Sequence, residues 1–462
     1  MATPVPNMKP LRRACDRCYE LKARCQSTPS GAKCSRCERL DLDCSTARPI
    51  RPAGRKVLRR KLSASAKLPK DQPGDIVAWL NDASDLLPDE RDLLIFLLGR
   101  PESLGCYLVC PSFQAAARQS LAAQLSAALP TVKDAYLAFA IALKQLNSSL
   151  ATGTDDIVRH ASSAMATLRS LPVSSQQDAA LCLTLGSALA LSMHSTIGMG
   201  VAEICRYCLT TTMPFMEKPV VSDEHSMSWR GFMVLLETMD CLVHRQNPAA
   251  RLQTGTSEGV DRHLGLSSSL LPYYYDLCVI SHSLTSTTDT DVLALLHKQL
   301  DGIHASVEGW RPSLAGSSAG QFESAEIVNL LAQAKVYRLG ALLVSHRLRY
   351  AFGDQDDAAE IWSKEILTEL EIAHQITQRP IRCVTLPFLI AAVEIRDPDA
   401  RNKAIESIDE YVDDCSPVVR GAAGDFLRRV WCERDLQITA CWLDSIHKPC
   451  PVIHSIETAC AA

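Results

Sequence analysis

The feature that most constrains this chain is a repeat of cysteines, C-x2-C-x6-C-x8-C-x2-C-x6-C, running from Cys15 to Cys44. Two half-modules result, Cys15–Cys18–Cys25 and Cys34–Cys37–Cys44. In each, a thiolate pair spaced by two residues can wrap one face of a metal ion, and a third cysteine seven positions on closes over it. Zinc takes four ligands in a tetrahedron, and no histidine precedes His160. Six thiolates supply three ligands to each of two zincs unless some are shared. Four terminal and two bridging sulfurs complete both tetrahedra, so the spacing implies a binuclear cluster. Buried or disulfide-bonded cysteines are the competing reading, and they do not explain identical spacing repeated inside a Lys/Arg-rich segment.

Charge divides the chain at the same place. Residues 1–70 hold 18 Lys/Arg against 5 Asp/Glu, whereas the remainder holds 30 against 47, beneath a net charge of only −4. A small basic head on a large acidic body describes a polyanion-binding module joined to something that must not bind polyanions. The other thirteen cysteines scatter from Cys106 to Cys460. The opening Met1-Ala2-Thr3-Pro4-Val5-Pro6 has no apolar h-region, so these thiols are expected to be reduced core residues of a non-exported protein. The most apolar run, Ala179 to Met193, is expected to be a buried helix too short to span a bilayer. No membrane partner is therefore expected.

On these residues the segment Cys15 to Cys44 resembles the binuclear zinc cluster of fungal transcription factors, which hold two zincs on six cysteines. The resemblance implies that Cys15 and Cys34 are the bridging ligands, with Cys18, Cys25, Cys37 and Cys44 terminal. It also implies pseudo-twofold symmetry, each half a short helix followed by an extended strand. In the family, basic residues late in the first helix read a CGG triplet in the major groove of double-stranded DNA. The matching residue here is Lys22, a donor suited to guanine O6 and N7. The family's frequent second basic residue is replaced by Leu21, and its proline before the fourth cysteine by Ala32. Arg12, Arg13, Arg17 and Arg24 are expected on phosphates, setting position without reading sequence.

The expected order is a disordered tail over 1–11, the zinc cluster over 12–45, a basic linker over 46–74 and an all-helical regulatory domain over 75–462. Prolines, a glycine and like charges keep the linker extended. Within it, Arg51-Pro52-Ala53-Gly54-Arg55 resembles an AT-hook, and Arg51 and Arg55 read as a backbone clamp. Arg55, Lys56, Arg59, Arg60 and Lys61 make a nuclear import signal. The coiled coil common after the linker in the family is missing here: Asp75 to Leu87 is expected to be a helix stopped by Pro88 within two heptads. Monomer and homodimer therefore stay equally open.

From about residue 75 onward, apolar residues recur at three- and four-residue steps, and period-two runs are rare. Helices are expected over Phe113–Leu129, Ala135–Leu150, Asp155–Leu171, Gln176–His194, Ser228–His244 and Asp291–Val307. Further helices are expected over Glu323–Tyr350, Ala358–Ile376, Pro387–Arg396, Arg401–Val412 and Pro417–Cys432, with loops over 213–222, 246–266 and 309–322. The fold class is mostly α: a small zinc-cluster domain, a linker, and a large irregular helical domain.

Motifs that would suggest an enzyme fail on context. Gly255-Thr256-Ser257-Glu258-Gly259 matches G-x-S-x-G but lacks the strand and helix that motif needs. The lone pair Cys205 and Cys208 reads as two core thiols on one helical turn. The expected protein is a nuclear, sequence-specific DNA-binding regulator with two zincs per chain and transcription co-regulators as further partners. Family analogy points to a secondary-metabolite gene cluster. The alternative is a zinc-containing scaffold that binds protein or RNA, with the helical body as the functional part.

Overall fold

The computed structural model describes residues 14–20, 22, 24–26, 33–45, 79–80, 86–99, 105–146, 154–216, 224–252, 259–314, 320–413, 415–441 and 443. The chain forms two compact units, Met1–Leu68 and Pro69–Ala462. It is mostly α, and no strand forms among the described residues.

The first unit holds two one-turn helices, α1 (Asp16–Glu20) and α2 (Ser35–Arg39). In place of the expected strands there are two single backbone ties, Asp16 N–H to Ser45 O at 2.8 Å and Ser35 N–H to Gln26 O at 2.9 Å.

The second unit runs α3 (Pro88–Gly99), α4 (Gln114–Leu146), α5 (Thr154–Ser170), α6 (Gln176–Thr196), α7 (Val201–Met216) and α8 (Glu224–His244). It continues through α9 (Leu271–Ser286), α10 (Thr290–Gly309), α11 (Ser324–Arg347), α12 (Asp356–Thr377) and α13 (Thr385–Ala392). The last elements are α14 (Pro398–Glu406), α15 (Ile408–Tyr411) and α16 (Pro417–Asp435). From α4 to α13 each helix packs on the next, and α16 returns to pack on α6 and α13, closing the stack. Ser416 donates to the carbonyl of His194 at 2.6 Å, and His194 Nε2 lies 3.4 Å from Asp413, tying that closure with polar contacts.

Several local expectations are corrected. Pro88 opens α3, while of the helix expected over Asp75–Leu87 the described residues are 79–80, which are helical, and 86–87, which are not. A first-turn proline forgoes an N–H that would lack an intrahelical partner anyway, and Glu90 turns back to accept from Leu87 N–H at 3.0 Å. The region 201–216, with its two cysteines and Pro214, is helix α7, so the expected loop from 213 begins later. Thr385, not Pro387, opens α13, and the stretch expected as Arg401–Val412 divides into α14 and α15.

Helix α4 is continuous by hydrogen bonding but broken at Ala128 (φ −140°, ψ 28°), two residues before Pro130. A proline ring inside a helix clashes with the preceding turn and lacks its hydrogen bond. The break bends the arms together. Tyr136 donates to Gln124 Oε1 at 2.6 Å across twelve residues, a span of about 18 Å in a straight helix.

Length does not exclude α6 from a membrane. By length and composition, Pro111–Leu146, Gln176–Thr196 and Ser324–Arg347 could each cross one. Their apolar windows are instead 61%, 78% and 72% buried within the protein, which accounts for the composition. Close packing reaches the backbone there: a Cβ at Gly186 on α6 would sit 2.2 Å from Cys208 Sγ on α7.

One ion pair lies deep in this core. Arg347, at the end of α11, is fully buried and forms a fork with Glu394, Nε to Oε1 at 2.9 Å and Nη2 to Oε2 at 2.7 Å. Nη2 also reaches Asp356 at 2.7 Å and Nη1 donates to Ala351 O at 2.9 Å, so the guanidinium spends its donors on three chain segments. Removing one member of a buried pair strands the other charge. Glu394→Ala is expected to cost about 3 kcal/mol, the low end because Asp356 remains. A urea melt checks this. The midpoint should fall clearly, and an unchanged midpoint would show that the fork contributes nothing.

Candidate metal centre and nucleic-acid interface

Among its described residues the first unit buries little besides cysteine. Its buried cluster is Cys15, Cys18, Cys34 and Cys37, with Cys25, Leu42 and Cys44 packed against it. Its two halves are related by the 19-residue separation of Cys15 and Cys34. Cys18 N–H points at Cys15 Sγ (3.5 Å) and Cys37 N–H at Cys34 Sγ (3.4 Å). Cys15 N–H points at Cys25 Sγ (3.4 Å) and Cys34 N–H at Cys44 Sγ (3.2 Å). Each contact in one half has its counterpart in the other, so the repeated spacing has become repeated geometry.

The sulfurs of Cys15, Cys18, Cys34 and Cys37 all lie within 4.8 Å of one another. Cys15 Sγ is 3.8 Å from Cys34 Sγ and 3.7 Å from Cys37 Sγ, while Cys34 Sγ is 3.7 Å from Cys18 Sγ. Two thiolates on one tetrahedral zinc, each at about 2.3 Å, stand about 3.8 Å apart. The observed spacings therefore fit zinc ligation. Cys25 and Cys44 sit at the margin, each in side-chain contact with both Cys15 and Cys34. Cys15 and Cys34 are thus the two sulfurs that every other cysteine of the group approaches.

Their electrostatics differ accordingly. The Cys37 backbone N–H aimed at Cys34 outweighs burial and brings that thiol down to about 6. The Cys18 N–H acts likewise on Cys15, whose thiol is lowered. Burial, reinforced by the neighbouring sulfurs, pushes Cys18 up to about 12 and raises Cys37 as well. Negative charge gathers first on the two central sulfurs.

Of the expected DNA contacts, Arg17, Lys22 and Arg24 are exposed on the first half-module. Lys22 closes α1 in the left-handed region (φ 47°), and its counterpart Asp41 closes α2 the same way (φ 45°). Sequence reasoning missed what this equivalence brings. The counterparts of Lys22 and Arg24 are Asp41 and Asp43, so the stretch after each helix carries cations in the first half and carboxylates in the second, while Arg17 matches Arg36 and Glu20 matches Arg39. Lys33 lies 3.5 Å from Asp41, whose side chain stays fully exposed. Aligning the two halves at their cysteines would have exposed the inversion. Arg12, Arg13, Arg51, Arg55, Lys56, Arg59, Arg60 and Lys61 lie outside the described residues, as does Ser257.

Cys205 and Cys208 are both buried on α7, where burial raises the Cys205 thiol and contact with Cys182 raises Cys208. They are packed core thiols and form no metal-competent group among the described residues.

The fungal specific transcription factor domain matches residues 140–450, within the second unit. That match covers more than half of the chain, which therefore belongs to this family and is a transcription regulator. Neither a curated protein nor a solved structure matches the chain.

With sulfurs in place of a core, the first unit should depend on its metal. Tryptic digestion of the full chain checks this. Chelation should open the bonds after Arg17, Lys22 and Arg24 to rapid cleavage while the helical unit stays resistant. Unchanged protection after verified metal loss would contradict the dependence.

Proposed function

We propose that this regulator acts in the nucleus by binding double-stranded DNA sequence-specifically through the first unit. In this reading Cys15, Cys18, Cys25, Cys34, Cys37 and Cys44 hold two zincs, with Cys15 and Cys34 shared between them. Zinc, when bound, would crosslink both half-modules and supply the folding energy that so small an apolar cluster lacks. The observation that carries the reading is the charge inversion: Lys22 and Arg24 occupy the positions that Asp41 and Asp43 occupy in the other half. At these two positions the first half offers a polyanion cations where the second offers carboxylates, although Arg36 and Arg39 keep cations elsewhere on the second half. Lys22, exposed at the end of α1, reads guanine, and Arg17 and Arg24 hold phosphates.

The basic residues Arg12, Arg13, Arg51 and Arg55 extend the phosphate contacts, and Arg55 to Lys61 serve import. The helical unit carries the regulatory role and meets co-regulators. Control of a secondary-metabolite pathway is supported by family analogy alone. The scaffold alternative has no observation of its own in its favour.

Selection from random duplexes with the zinc-loaded full chain, at near-physiological salt, tests the DNA reading. Salt matters because phosphate contacts alone enrich everything at low ionic strength. CGG-type triplets should be enriched, and Lys22→Ala should weaken binding to them by about tenfold or more while relaxing the preference. Arg24→Ala should weaken all duplexes alike. No enrichment would sink the proposal and favour the scaffold.

Zinc counting by native mass spectrometry tests the ligand set separately. Cys44→Ser should leave one zinc tightly held, whereas Cys34→Ser, removing a shared sulfur, should release both. Equal losses from the two variants would refute the bridging assignment.

A further inference from the structure

The helical unit contains a cavity built around an orphaned histidine. His263 is 1% exposed and lies in a tight turn in which Asp261 Oδ1 accepts from the backbone N–H of His263 and of Leu264, both at 2.8 Å. Gly265 closes the turn at φ +59°, where a Cβ would meet Gln333 Oε1 at 2.2 Å. Two aromatic rings pack tilted against the imidazole, Trp229 at 4.6 Å between centroids and Phe232 at 4.9 Å. Its Nδ1–H donates to Tyr107 O at 2.8 Å. Burial disfavours the imidazolium, so Nε2 is a lone-pair acceptor, and it has no hydrogen-bond partner among the described residues. A buried acceptor left unmet is costly, and native structures rarely leave one without a reason.

His263 lines a small space that opens to solvent, walled largely by apolar side chains. The break in α4 contributes both of its arms, Leu121 and Gln124 from one and Tyr136 and Phe139 from the other. Helix α6 adds Leu191 and α8 adds Trp229. Gln124 has its amide oxygen occupied by Tyr136, which leaves the amide nitrogen as a donor. An apolar lining with a few convergent polar atoms is the general form of a small-molecule site.

We propose that this cavity binds a small, uncharged, largely apolar molecule whose single hydroxyl or N–H group donates to His263 Nε2. Such an occupant would touch both arms of α4 and the turn at 261–265, joining elements that otherwise meet only at their edges. The proposal concerns the helical unit alone and stands whether or not the DNA reading does, because binding is measured without DNA.

A matched pair of probes tests it. Calorimetric titration of the zinc-loaded full chain at neutral pH compares 2-naphthol with naphthalene, which differ by one hydroxyl donor. A site built to satisfy a buried polar atom rejects the analogue that cannot, so 2-naphthol should bind at least tenfold more tightly. His263→Phe keeps the aromatic packing but removes the acceptor, and should bring the two probes within about twofold of each other. Ala117→Leu, which narrows the half-buried lining of the cavity, should weaken both probes at least fivefold and guards against a poorly folded His263 variant. No binding of either probe to the native chain, or equal binding of both, would overturn the proposal. So would undiminished binding of both probes to Ala117→Leu.

Discussion

The helical unit depends on a charge that has been taken out of water and fully accounted for. Arg347 sits at the end of α11 with its side chain wholly buried; Glu394 and Asp356 take Nε and Nη2, and the Ala351 carbonyl takes Nη1. Around it Phe352 lies between two cations, Arg347 at 5.0 Å and Arg434 at 4.4 Å, and Arg434 donates to the carbonyls of Val393 and Glu394. Desolvating such a group is affordable only when every partner is in place. The node therefore fixes the end of α11, the start of α12, the end of α13 and α16 against one another. A purely apolar junction of the same helices would tolerate sliding, because dispersion has little direction.

The small unit solves the opposite problem. Among its described residues it buries cysteines and almost no hydrocarbon, so sulfur takes the place of a core there. The two central cysteines collect backbone N–H groups and neighbouring sulfurs, which is the arrangement a pair of shared ligands requires. Symmetry makes this economical, since one local design used twice generates both sides. The inversion of charge between the halves then breaks that symmetry at the surface, where folding does not constrain it. Matching backbones that differ in charge at Lys22/Asp41 and Arg24/Asp43 separate what holds the unit together from what it can approach.

Much of this was legible in the chain. The cysteine spacing carried the metal-competent group because ligand number and tetrahedral geometry admit few solutions. The mostly-α class followed from three- and four-residue periodicity summed over several hundred residues. Helix boundaries were less legible. Pro88 was read only as a stop, yet it opens α3, because the N–H a proline lacks has no intrahelical partner in a first turn and Glu90 caps that turn. Helix α7 was legible only as the one turn that carries Cys205 and Cys208, and its full length through Pro214 was not. The apolar run in α6 was judged by length, yet its surroundings in the folded unit are what account for its composition.

By itself, the sequence determined the ligand set available to a metal, the division of charge along the chain and the helical class, because each follows from local spacing or composition. Only the tertiary structure decided which sulfurs are central, where the buried Arg347 finds its partners, and that His263 is left with an unmet nitrogen beside a cavity. These depend on residues far apart in the chain, Tyr107 with His263 and Arg347 with Glu394, whose pairing appears only after closure. No periodicity encodes the distance between them.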